Sequence, residues 1–225
     1  MTSHRTAALL ILSIPFLYIY GLSLLTLPLA GEASYVTPGT LFFSLLLNLL
    51  VMGGASFLYV LARYGGPWRR VLHRLFFRRE GWRESLALGA GVGIALLLLS
   101  GLVVLLFQAL GFSLDNPLAE SIMDNLTPFL LVAVPLLAAL SEETFFRGLL
   151  QMEMARWRGQ PVAIAVTSLL FGLAHLSYGQ PLQVLIPFLL GLALGLLMMK
   201  TRNLLAPIAA HFTFNFAQLA VAYYA

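Results

Sequence analysis

Polar residues fall in short intervals between long apolar runs. The runs cover roughly 7–30, 39–64, 86–112, 127–155, 161–176, 183–200 and 204–224. A helix needs about 20 mostly apolar residues to cross the hydrocarbon core of a bilayer. Six runs meet that length, and 161–176 is short and contains Gly172 and His175. The pattern predicts an all-α polytopic membrane protein of about seven transmembrane helices, with 1–225 as a single integral-membrane domain. The first run is too long for the apolar region of a signal peptide and leads into TLPLAGEAS, so it is read as a span.

Composition narrows the class. The chain is 60% hydrophobic and 10% charged, too little charge to cover the surface of a soluble domain. It has no cysteine, which removes disulfides, thiolate metal sites and a Cys nucleophile. The net charge of +4 is informative through its placement. Arg5 precedes the first run. Arg63, Arg69, Arg70, Arg74, Arg78, Arg79 and Arg83 lie around the second connection. Arg147, Arg156 and Arg158 lie near the end of the fourth run, and Lys200 and Arg202 lie between the last two. The intervening connections carry Glu32, Asp115, Glu120 and Asp124 and no basic residue. By the positive-inside rule the N-terminus is cytoplasmic and the C-terminus outside, in a multi-pass protein of the cell membrane. The segment 65–84 becomes a cytoplasmic loop whose Trp68, Val71, Leu72, Leu75 and Phe76 can form one face of an interfacial helix. Its arginines anchor topology on the lipid bilayer, and no nucleic-acid partner is expected.

The stretch LSEETFFRGL at 140–149 breaks the apolar pattern. Ionisable groups inside a span are costly and usually face a bundle interior or a watery cavity, so they mark a functional site by default. Glu143 and Arg147 are four apart and can pair on one helical face. Glu142 is turned about 100° away and has no cation of its own in the helix. His175 ends FGLAH in the fifth run, and HFTFN places His211 and Asn215 one turn apart in the seventh. Glu142 and His175 each lie about 15 residues, or ~22 Å, from the turn near 157–160. Asn215 lies ~18 Å from the turn at Asn203. Three helices thus carry these groups to similar depth.

EETFFR, FGLAH and HFTFN, in this order, fit the patterns EExxxR, FxxxH and HxxxN. They resemble the CAAX-processing and bacteriocin-processing (CPBP, or ABI) intramembrane proteases, which include the CAAX prenyl endopeptidases. The resemblance covers 127–224, which would be the catalytic core of a CAAX-protease-like helical bundle. It implies a peptidase acting on a peptide or membrane-associated protein. Glu142 would be the general base that activates water, and His175 would bind or polarise that water. His211 and Asn215 would stabilise the oxyanion, and Glu143 and Arg147 would be the supporting pair. Glu142, His175 and His211 are also residue types able to ligate zinc with a water in the fourth position. There is no HExxH, and the resemblance leaves zinc open as a cofactor. Two other readings use the same residues: a proton-coupled transporter, and a non-catalytic immunity or scaffold protein on the same fold. All the intramembrane charge lies in the second half, which disfavours a transporter built on two inverted repeats. The substrate, whether it is prenylated, and the oligomeric state are not written in the residues.

Overall fold

A computed structural model describes residues 2–26, 36–112 and 117–224, without the side chains of residues 2–5, 26 and 117. Glu32, Asp115 and the Arg5 side chain, used above to read topology, lie outside the described residues. Among the described residues, seven helices are long and apolar enough to cross a membrane. They are α1 (Thr6–Leu25), α2 (Pro38–Tyr64), α4 (Trp82–Ala109), α6 (Pro128–Arg158), α7 (Gln160–Tyr178), α8 (Leu182–Thr201) and α9 (Leu205–Tyr224). Two short helices lie between spans among the described residues, α3 (Trp68–Arg74) and α5 (Pro117–Asp124).

Local chemistry sets several of these boundaries. Thr37 caps α2 through a reciprocal capping box with Thr40, followed by Pro38. Thr127 accepts from the Leu130 N–H at the start of α6, again with proline next. Both devices satisfy free N–H groups and preset the first turn. Gly159 separates α6 from α7 at φ +83°, a left-handed conformation that a β-carbon disfavours. The turn therefore reverses the chain at once.

The connections after α2, α6 and α8 meet at one end of the bundle. At the basic end, the Tyr64 hydroxyl of α2 donates to Glu153 of α6, and Arg156 also contacts both. Asn203, between α8 and α9, donates to the carbonyls of Arg78 and Glu80. These bonds gather the arginine-rich segments at one end. The loop after α2 differs from its sequence reading. Val71, Leu75 and Phe76 are buried in protein, while Trp68 stays exposed. The Phe76 carbonyl accepts from the Leu204 N–H at 2.9 Å. Much of the expected lipid-facing surface is thus a plug docked beneath α6 and α9.

Helix contacts inside the bundle use small residues. Gly89 and Gly93 of α4 face α9 so closely that a β-carbon would stand 2.3 and 2.5 Å from the carbonyl oxygens of Ala206 and Ala210. Gly172 of α7 meets the Val184 carbonyl and Phe188 of α8 in the same way. In lipid, where apolar surface alone does not drive helices together, such backbone approach supplies the packing. Both Gly89/Gly93 and Gly191/Gly195 serve contacts within the chain.

Candidate active site

The chemistry of α6 sits where its backbone changes pitch. The α-helix Pro128–Glu143 gives way to a π-helix, Thr144–Gln151, before α-helix resumes at Met152. All eight π-helical residues are buried. π-turns inside helices recur at functional positions, and this one begins directly after the two glutamates.

Glu143 and Glu142 have different surroundings. Glu143 is completely buried. Its Oε2 lies 3.2 Å from Arg147 Nε, and its Oε1 lies 2.8 Å from His211 Nδ1. A carboxylate only accepts, so His211 donates through Nδ1–H and presents Nε2 on its other side. That nitrogen is 4.0 Å from Oε2 of Glu142, beyond direct hydrogen-bond reach. Glu142 retains 18% side-chain exposure, and its Oε2 has no hydrogen-bond partner among the described residues. One carboxylate is engaged twice; its neighbour is held beside a histidine and left available.

Arg147 is also completely buried. Burying a guanidinium requires compensation, and it comes from three directions. Glu143 supplies the countercharge. The ring of Phe171 lies 4.3 Å from the guanidinium carbon, a cation–π contact. Gly191 of α8 provides room, since a β-carbon there would stand 3.3 Å from Nη2. One turn further along, Gln151 donates to the Gly195 carbonyl at 2.9 Å. The polar stripe of α6 is therefore seated on the glycine face of α8.

His175 stands just beyond the α-helical part of α7, which ends at Leu173. It still lies within the span Gln160–Tyr178, as the sequence reading had it. Its Nδ1 is 2.9 Å from the Phe171 carbonyl, which can only accept. Nδ1 therefore carries the proton and Nε2 is free as an acceptor. The Phe171 ring lies edge-on to both His175 and His211. Phe171 is thus a shared wedge for two histidines and Arg147. Sequence reasoning quoted it as the first residue of FGLAH and gave it no role. Gln151 went unassigned as well, although its place one turn after Arg147 was a usable signal.

Glu142, His175, His211 and Asn215 all line one cavity of about 770 Å³. Its wall is largely apolar, with Leu41, Leu45, Phe107, Ile122, Ile186 and Phe214 among the contributors. Neutral polar groups are interspersed, including Thr40, Asn48, Gln183 and Gln218. Glu142 is the only Asp, Glu, Lys or Arg among the described lining residues. An apolar pocket with a few convergent polar groups is the usual form of a binding or active site. The fit to zinc is poor as arranged. Glu142 and His211 approach each other, but no three His, Asp or Glu side chains are grouped closely enough to hold a metal among the described residues.

Neither curated proteins nor solved structures gave a match to this chain. A family model does. The one described as type II CAAX prenyl endopeptidase Rce1-like matches residues 124–217, from the end of α5 into α9. Its span contains the glutamate pair, both histidines and Asn215, and over these residues the chain is similar to the CAAX prenyl endopeptidases.

Proposed function

We propose that this multi-pass membrane protein is an endopeptidase in which Glu142 activates water against a peptide carbonyl. The observation that carries the reading is the division of labour between adjacent glutamates. Glu143 is spent on Arg147 and His211, whereas Glu142 lines an apolar cavity and keeps part of its side chain exposed. A carboxylate held there can accept a proton from water as the hydroxide forms a bond to the carbonyl carbon. The oxygen of the tetrahedral intermediate takes the negative charge. Glu142 then returns the proton to the amine as the C–N bond breaks, so that two peptides leave and the carboxylate is restored.

The remaining residues take consistent roles. His175, with its proton committed to the Phe171 carbonyl, accepts a hydrogen bond from the water through Nε2. Asn215 offers an amide N–H₂ to the oxyanion from α9. His211 reaches the cavity only through Nε2, so as an oxyanion donor it acts in its doubly protonated form with Glu143 as countercharge. Fixed donors in a site shielded from water are the usual means of stabilising such an intermediate. Residues 127–224 would form the catalytic core of one membrane domain, in the cell membrane, with a peptide or membrane-associated protein as substrate.

The test is Glu142→Gln, which keeps size and hydrogen bonding but cannot take a proton. Turnover should fall roughly 10²–10⁴-fold, with helicity and substrate binding preserved. Full activity in this variant, measured on purified protein, would overturn the assignment.

A further inference from the structure

The cavity belongs to one end of the bundle. On α2, α4, α6, α7 and α8, every lining residue lies in the half of the helix farther from the basic end. On α9 the lining begins at His211 and runs outward through Gln218 and Leu219. The short helix α5, at the same far end, adds Leu118 and Ile122. Toward the basic end the way is filled. Val71, Leu75, Phe145, Phe146, Arg147 and Leu149 are all at most 2% exposed, and the plug after α2 packs there. A peptide coming from the arginine side would have to part this core.

The arginine side is the cytoplasmic side by the positive-inside rule. At the basic end lie Arg69, Arg70, Arg74, Arg78, Arg79, Arg83, Arg156, Arg158, Lys200 and Arg202, and none of them reaches the cavity. The wall also bears on what is recognised. Among its described residues it holds no Lys or Arg that could pair with a free carboxyl terminus, His211 is already engaged with Glu143, and the carboxylate of Glu142 would repel such a terminus.

Resting on the proteolytic reading above, we infer that the substrate is an uncharged, largely apolar internal peptide segment that reaches Glu142 from the non-cytoplasmic face. The natural substrates are then exported peptides or the outward-facing flanks of membrane proteins, cut within the chain.

The absence of cysteine makes the geometry directly testable. Gln183→Cys and Gln218→Cys place a thiol on the cavity wall, and His73→Cys and Arg79→Cys place one at exposed positions of the basic end. Each full-length variant is treated in spheroplasts with a membrane-impermeant maleimide, before and after lysis. The expected result is labelling of the cavity pair in intact spheroplasts and of the basic-end pair only after lysis. The reverse pattern would overturn the inference, and it needs no catalysis to be read. In parallel, newly formed protein N-termini are compared between wild-type and Glu142→Gln cells. Termini lost in the variant should map to apolar internal segments on the non-cytoplasmic side. Loss of termini from cytoplasmic segments, or of cuts releasing a carboxyl-terminal tripeptide, would overturn the inference. Outward labelling with no termini lost would instead overturn the proteolytic reading beneath it, so the two failures are distinguishable.

Discussion

Breaking the Glu143–Arg147–His211 chain should have unequal effects depending on which member is removed. In Glu143→Gln, Arg147 stays fully buried and loses its only ion-pair partner among the described residues; the Phe171 ring remains. Removing one partner of a buried pair costs about 3–5 kcal/mol. In Arg147→Met, the Glu143 carboxylate still accepts from His211 at 2.8 Å, so the loss should be smaller, about 1–3 kcal/mol. The double variant has neither charge, and apolar replacement of a buried ion pair is often near neutral. It should therefore be more stable than Glu143→Gln, with a coupling energy of at least about 2 kcal/mol. Unfolding in mixed micelles with increasing denaturing detergent reads this out. Far-UV helicity is the better signal, because Trp68, Trp82 and Trp157 are all exposed near the basic end. Strictly additive losses, or equal losses in the two single variants, would refute the pairing and the bridging role of Glu143.

Further outcomes follow from the same geometry. Asn215→Ala should lower turnover by about 10²–10³-fold with binding preserved, as loss of one oxyanion donor does; steady-state kinetics on purified protein separates the two effects. Gly93→Val forces a β-carbon against the Ala210 carbonyl, which should cost about 1–3 kcal/mol and also lower activity, because α9 carries His211 and Asn215; unfolding and cleavage assays on one preparation check it. Since no three metal-ligating side chains converge among the described residues, exhaustive chelation should leave cleavage in place. Activity lost and then restored by added zinc would show that the helices close further around a metal.

Much of the architecture was legible because hydropathy reports depth in the membrane. Each of the seven apolar runs corresponds to a helix of the bundle, with ends shifted by a few residues where caps such as Thr37 and Thr127 decide. The Glu143–Arg147 pair could be read from spacing, because both ends lie on one helix. Contacts between helices were less accessible. That His211 turns Nδ1 to Glu143 depends on the rotation and depth of α9 against α6, which no local pattern encodes. The π-helical stretch was hidden for a related reason. TFFRGLLQ is buried on all sides, so it shows no periodic polar face from which its pitch could be counted. The plug after α2 misled because an amphipathic face looks the same whether lipid or protein covers it.

The seating of Arg147 and Gln151 on Gly191 and Gly195 bears on how this site could be moved or recombined. A designer grafting EETFFR, FGLAH and HFTFN onto another bundle would transfer every proposed catalytic group and still omit the cradle. On a host helix with larger side chains at those two positions, the guanidinium and the Gln151 amide would both be crowded, and the pairing that fixes Glu143 would be disturbed. Chimeras should therefore exchange α6 and α8 together, as one inseparable cassette.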